Sequence, residues 1–435
     1  MAGVLSDLDE RLSGYAELVP GGELVPSVED LAEWLGGLAR REPGLCRLRR
    51  IGTSRGGRAL QVLSVGVGGR SVLVVGGPHP NEPVGYATVR FLAELVVERP
   101  ELRDGVSWHF LPCVDPDGAA LNADWTSGPL DLVNQHRYFY RPALAEQPEW
   151  TFPIPFGGGV HRFGLPENEA LADLVDELVP AVVVSLHNAE FGAPFFVASH
   201  AVPGLAGQLA AVAARHGLPV AEAAPSDVVG WPVLGPGVFQ MPPVEDLVIR
   251  DHEQETPAYG AHLTHHAAKY GTLTVLPEVP RWRAGRVFGD SAPVALATLA
   301  EALTGEIAEV RRLMGDAGPL DDVFGRAAAD TAAIADTVAR SWHQRAGDFG
   351  AVPAAELAEA HYSRVMLTLR CAGMALRSAL EAPSRIDASV CTRLHRLLAE
   401  RARRCGQGLN IAPLELRRLV AVQACAALAA VDLTR

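Results

Sequence analysis

Cysteine is scarce in this chain of 435 residues: Cys46, Cys113, Cys371, Cys391, Cys405 and Cys425 are scattered, and no two form a CxxC pair. A zinc ribbon or a disulfide framework needs closely spaced cysteines, so neither is indicated, and six reduced thiols in a cytoplasmic protein are the expectation. No apolar stretch reaches the ~20 residues needed to span a bilayer, because Pro, Gly or charge interrupts each candidate, and no membrane partner is expected. The first residues, Met1 to Pro20, lack the basic stretch and following apolar run of roughly 7–15 residues that mark a secretory signal. Basic side chains are in the minority, 38 against 51 acidic ones, for a net charge of −13. A nucleic-acid binder needs a basic face, and this balance argues against one. Aromatic residues make up only 6%, but hydrophobic residues reach 48% and charged residues 20%, which excludes wholesale disorder and collagen-like repeats.

The first three-quarters reads as alternating strands and helices. Ser27 before Glu29 and Asp30 is a helix start, with Leu31, Trp34, Leu35 and Leu38 at the spacing of one buried face. Strands are expected over about 47–53, 59–66, 71–77, 106–112, 181–187 and 272–278, and a helix over about 83–97. The runs at 71–77 and 181–187 are apolar almost throughout, as strands covered on both faces would be. The pattern predicts an α/β fold: a mixed, largely parallel central sheet with helices on both faces. The stretch from Asp115 to Pro166 is rich in Gly, Pro and aromatics, and reads as an ordered loop packed over a site. After about residue 310 strand signals vanish, and Ala/Leu/Arg-rich helical stretches are expected over about 320–346, 354–381, 386–405 and 412–431. Residues 1–310 are therefore read as an α/β domain and 311–435 as a C-terminal helical appendage, whose expected roles are a cap over a site, an oligomer contact or a protein partner.

The stretch from Val72 to Pro83 carries the most chemistry. A buried strand ends in Gly76 and Gly77, and His79 and Glu82 follow three apart, just before a helix. One turn over 79–82 sends both side chains to the same side, where one ion can be held. His187 ends the apolar strand at 181–187, and Glu278 ends the one at 272–278. Strand ends of an open α/β sheet collect at the carboxyl edge, where ligands bind. Two His and one Glu with an open fourth position make a catalytic type of zinc site, and a further carboxylate such as Glu278 is the proton acceptor that a metal-activated water needs.

These residues resemble the zinc metallocarboxypeptidases of the carboxypeptidase A type, which carry a His-x-x-Glu pair, a later His and a later Glu. The resemblance spans roughly residues 45–310 and includes the separation of 187 − 82 = 105 residues. Val114-Asp115-Pro116-Asp117-Gly118 is similar to the family's Asn-Pro-Asp-Gly loop, with Asp115 in place of Asn, and Leu165 to Leu171 is similar to its acidic helix start. The resemblance implies Zn2+ held by His79, Glu82 and His187, with Glu278 as general base. It also implies arginines for the oxyanion and for the substrate's terminal carboxylate. No Asn-Arg pair is found, and Arg137 and Arg141 are the candidates for either task; Tyr259, ahead of Tyr270, is the candidate for the family's mobile tyrosine.

The implied reaction is zinc-dependent hydrolysis of an amide bond at the C-terminus of a peptide. A zinc-dependent deacylase of N-acyl amino acids and a non-catalytic metal-binding scaffold are the alternatives. The cluster His262, His265 and His266 is assigned a surface or helix-packing role, Trp150 and Phe152 loop packing, Trp282 the core, and the arginines at 401–404 a solvated helix face.

Overall fold

The computed structural model describes residues 2–22, 25–225, 228–247, 257–284, 296–318, 320–349, 352–381 and 388–435. The chain opens with helices α1 (Ala2–Glu17) and α2 (Val28–Arg41), followed by strands β1 (Cys46–Thr53) and β2 (Ala59–Val65). Strand β3 (Arg70–Gly76) leads into α3 (Val84–Glu98) and β4 (Val106–Leu111). Short elements follow: α4 (Pro116–Leu121), α5 (Ala123–Thr126), α6 (Leu132–Arg137) and the pair β5 (Ile154–Phe156) and β6 (Gly159–His161). Next come α7 (Pro166–Leu178), β7 (Val182–Leu186), β8 (Phe195–Ala198), α8 (Leu205–Arg215), β9 (Val233–Gly235) and β10 (Val238–Gln240). Helices α9 (Val244–Leu247) and α10 (Leu263–Ala268) precede β11 (Leu273–Glu278) and β12 (Trp282–Arg283). Four long helices follow, α11 (Leu296–Ala317), α12 (Val323–Phe349), α13 (Ala354–Glu381) and α14 (Ala388–Gly408), and the chain ends with β13 (Ala412–Pro413) and α15 (Leu416–Asp432).

Nine strands form one mixed sheet in the order β1-β2-β4-β3-β7-β11-β8-β10-β9. The central four, β4, β3, β7 and β11, run parallel, and antiparallel pairings flank them. Strand β7 is buried at every residue, as its apolar run requires. One face of the sheet is covered by α7 and α10, through Leu171, Val175 and Leu263 against Leu73 and Val183. On the other, Val72, Val74 and Val184 share a larger core with α2, α3, α8 and α15. The expected start of α2 is present: Ser27 Oγ accepts the Asp30 N–H at 3.0 Å, and Leu31, Leu35 and Leu38 are buried.

Packing divides the C-terminal third in a way that composition does not. Helices α11 to α14 surround a core of their own that includes Leu303, Ile307, Ala328, Leu369 and Leu394. Helix α15 instead buries Leu419, Val422 and Ala426 in the main core beside Val89 and Leu92 of α3. The chain leaves the sheet unit through β12 and returns through β13, which pair antiparallel, Trp282 with Pro413 and Arg283 with Ala412. The α11–α14 bundle is thus inserted between β12 and β13. The stretch read as one appendage over 311–435 also misses α11, which begins at Leu296. Among the described residues, no helix is long and apolar enough to cross a membrane.

Candidate metal centre

Four side chains are delivered by three strand ends. After β3, Gly77 takes φ +50°, and a Cβ there would stand 2.4 Å from the Tyr86 ring, so the turn requires glycine. The Glu82 N–H then donates to the His79 carbonyl at 3.1 Å, closing the expected single turn over 79–82. In the neighbouring strands, parallel pairing extends past β7 to one last bridge, His187 with Glu278 at the end of β11. Third-ligand candidate and base candidate therefore stand side by side at the carboxyl edge of the sheet.

Helix α15 holds this edge in place. Gln423, fully buried, donates from Nε2 to the His187 carbonyl at 2.6 Å and accepts the Thr88 hydroxyl at 2.6 Å. Asn188 Oδ1 accepts the Val84 N–H at 3.2 Å, and the Asn188 N–H donates to Glu82 Oε2 at 3.2 Å.

His187 is the hub. Its Nδ1 lies 2.9 Å from Glu82 Oε2 and 3.6 Å from Glu278 Oε1, and its Nε2 lies 2.9 Å from Glu149 Oε2. Ligand atoms of Glu82, His187 and Glu278 lie within 4.8 Å of one another, and so do those of His79, Glu149 and His187. The two imidazoles of His79 and His187 meet edge on, 5.1 Å between centroids. Burial pushes the His187 imidazole down, but the Glu149, Glu82 and Glu278 carboxylates outweigh it and hold its pKa well above the usual value. Burial, helped by Arg141, holds His79 well below its usual value, the neutral form that binds metals. Three carboxylates around one imidazole are surplus negative charge that a divalent cation neutralises. His79 Nδ1 is also buried without a hydrogen-bond partner among the described residues. An orphaned imidazole nitrogen beside that acidic cluster fits zinc, which takes nitrogen and carboxylate oxygen together.

Glu149 is the residue that sequence reading missed. It is fully buried, accepts the Ser185 hydroxyl at 2.6 Å, and lies 3.4 Å from His262 Nε2. His262 Nδ1 accepts the Thr264 N–H at 3.0 Å, which assigns the ring proton to Nε2, facing Glu149. Glu149 does not line the cavity, whereas His79, Glu82, His187 and Glu278 do. It is therefore placed to orient His187 through the outer nitrogen and leave Nδ1 for the open side. No spacing marks a glutamate in an irregular aromatic loop as the partner of a distant histidine. His262, assigned a surface or helix-packing role, is fully buried and caps α10, which is the helix role of that reading, and it lines the cavity as well. Of its companions, His266 pairs with Asp176 at 2.7 Å, and His265 bonds the Pro242 carbonyl at 2.8 Å.

The cavity measures about 380 Å³ and opens over the metal candidates. Arg141 lines it and donates from Nη1 to Glu82 Oε1 at 2.8 Å. Arg137 does not: it is exposed and stacks on Tyr138 at 5.3 Å, because the last turn of α6 points it outward, which corrects its assignment to substrate or oxyanion. Tyr259 lines the cavity, edge on to Trp150, and its hydroxyl donates to the Leu247 carbonyl. Tyr270 lies elsewhere under Lys269. Trp282 is core, as expected, donating from Nε1 to Gln135 Oε1 at 2.8 Å. One end of the cavity is apolar, lined by Phe195, Val197, Val228, Met241 and Leu276. Helices α12 and α13 of the inserted bundle close the opposite wall.

Comparison with known proteins agrees with the motifs. The family model described as zinc carboxypeptidase matches residues 31–140, a quarter of the chain that includes His79 and Glu82. Carboxypeptidase B of Astacus astacus is 28% identical over 99 residues, 21% of this chain and 33% of that protein. The chain thus spans about a third of that curated relative. Among solved structures, carboxypeptidase A from Helicoverpa armigera is similar at 16% identity and a TM-score of 0.40, covering 82% of this chain and 81% of that one. Bovine thrombin-activatable fibrinolysis inhibitor, in complex with tick carboxypeptidase inhibitor, is similar at 15% identity and a TM-score of 0.37, covering 58% and 86%. The segment bearing the His-x-x-Glu pair is a match to the zinc carboxypeptidase family, whose metal is zinc.

Proposed function

We propose that the protein is a zinc-dependent hydrolase of amide bonds, acting as a carboxypeptidase on the C-terminal residue of peptides. The observation that carries this reading is the convergence of His79, Glu82, His187 and Glu278 on one cavity, with a buried His79 nitrogen lacking any partner among the described residues. His79, Glu82 and His187 would hold the ion, which when bound supplies a Lewis acid and acidifies a water toward pKa ~7. Glu278, half-buried at the cavity wall, would take a proton from the attacking water as its oxygen adds to the amide carbonyl and return that proton to the leaving amine as the C–N bond breaks. Arg141, beside Glu82, donates to the oxyanion, a contribution of about 3–4 kcal/mol for one well-placed donor. The apolar end of the cavity receives the side chain of the residue being released, and helices α12 and α13 of the bundle line the cavity beside it.

A second reading, a deacylase of N-acyl amino acids, is compatible with the missing Asn-Arg pair and with Arg137 lying outside the cavity. Zinc-loaded protein assayed on a peptide panel beside N-acyl amino acids, with and without chelator, separates the two. Chelator-sensitive release of C-terminal residues is expected. Release of acyl groups alone would replace the first reading with the second, and no chelator-sensitive hydrolysis of either would leave the scaffold.

A further inference from the structure

We infer that Arg370, carried into the cavity by helix α13 of the inserted bundle, binds the free carboxylate of the substrate. The inference rests on the hydrolase reading above and names the group that anchors the substrate.

Among the described residues, arginine reaches the cavity at two places, Arg141 and Arg370. Arg141 is engaged with Glu82, beside the ligand cluster, where it serves the oxyanion. Arg370 is different. It is 9% exposed, and a guanidinium this deep is held by specific contacts: Nε donates to Glu190 Oε1 at 3.3 Å, and Cζ lies 5.0 Å from the Phe139 ring centroid. Those contacts fix the plane and one edge of the fork. The terminal nitrogens make no hydrogen bond among the described residues and are not sealed from the cavity that the residue lines. A planar fork with its outer pair open is the shape that takes a carboxylate in two parallel hydrogen bonds.

Glu190 ties this fork to the metal edge. It lies three positions after His187, so the two Cα atoms are within about 11 Å of each other. Its carboxylate is held from several sides, by Gln135 Nε2 at 3.3 Å and by His136 Nε2 at 3.4 Å as well as by Arg370. Burial pushes the Glu190 carboxyl up, but Arg370 and His136 outweigh it and hold it at about 2, so it stays charged and keeps the arginine in register. The bundle thereby contributes a binding group to a site whose chemistry sits on the sheet. The site is composite, and the sheet unit without α13 lacks this cation.

The shared ligand chemistry is a carboxylate beside an amide, from either a peptide C-terminus or an N-acyl amino acid. The test compares parent protein with R370Q and R370K, all zinc-loaded, on N-benzoylglycyl-L-phenylalanine and on N-acetyl-L-phenylalanine; whichever is hydrolysed identifies the source. R370Q is expected to lower kcat/KM about 100-fold, mostly through KM, the factor that loss of a charge-assisted pair implies. A KM within twofold of the parent would overturn the assignment. If the parent hydrolyses neither compound, the hydrolase reading falls by itself. Calorimetry then decides the binding role. N-acetyl-L-phenylalanine should bind the parent at least tenfold tighter than N-acetyl-L-phenylalaninamide, with that preference lost in R370Q. An unchanged preference overturns the inference. Should R370Q fail to fold, R370K keeps a charge beside Glu190 but not the fork, and about a tenfold loss of the preference is expected; no loss overturns the assignment.

Discussion

The two walls of the cavity are built differently. On the sheet wall, His187 and Glu278 stand at strand ends whose backbone pairing sets their separation, down to the His187–Glu278 bridge, and His79 follows β3 through one tight turn. On the bundle wall, Arg370 sits in mid-helix between Leu369 and Cys371, both fully buried, and its position depends on how α13 packs against α6, α11, α12 and α14. The sheet wall is fixed by hydrogen-bonded register, which shifts only in whole residues. The bundle wall is fixed by side-chain packing, which tolerates smaller adjustments. Chemistry that fails with a displacement of an ångström belongs on the first, and substrate recognition that varies with substrate size belongs on the second.

The sharpest way to break this contrast is at the strand end. Glu278→Gln is expected to keep its zinc, by metal analysis, and to lose on the order of 10²–10⁴ in kcat; parent-level turnover would remove Glu278 as the base. The next effect concerns the hidden side of the sheet wall. Glu149→Gln leaves the ion's ligands in place but weakens the hold on His187, and zinc affinity measured by chelator competition should fall about 10–100-fold. Unaltered affinity would mean that His187 is oriented without Glu149.

The bundle wall can be displaced without touching the chemistry. A Cβ on Gly373 would stand 1.9 Å from the His136 carbonyl oxygen, so Gly373→Ala must push α13 away from α6. Denaturant unfolding should show a loss of about 3 kcal/mol. Full stability would contradict the contact between the bundle and the sheet unit.

The smallest effect tests the sheet unit alone. Burial raises the Asp115 carboxyl to about 6 against an ordinary 3.8, despite the Gly118 N–H that it accepts at 2.9 Å and the nearby Arg55. The folded chain therefore holds this proton more tightly than the unfolded one. Its favourable contribution is complete below the unfolded pKa and is lost as pH rises through about 6. Asp115→Asn should stabilise by about 2 kcal/mol at pH ~8, with the gain closing by pH ~4. A gain that persists in acid would show that the carboxylate's charge is not its source.

Much of the sheet unit was legible because its signals are local. Ser27 before an apolar periodicity, the covered strands 71–77 and 181–187, and the His79–Glu82 spacing each need only a few neighbouring residues to be read. Arg137 and Arg141 could not be told apart, since which one faces a cavity depends on where α6 ends. Glu149 and His262 were hidden for a related reason: their pairing joins an irregular loop to a helix cap more than a hundred residues away. The boundary at 310 followed composition, and Ala/Leu-rich helices look the same whether they pack on each other or on a sheet.

The sequence by itself determined the element types, the strand-end placement of four metal-site candidates and the helical character of the last third. These rest on periodicity and burial, which a chain carries along its length. Only the tertiary structure decided that α15 belongs to the sheet's core, that α11–α14 are an insertion, and that Arg370 rather than Arg137 meets the cavity. Those outcomes depend on which surfaces bury one another, and that is a property of contacts between distant segments.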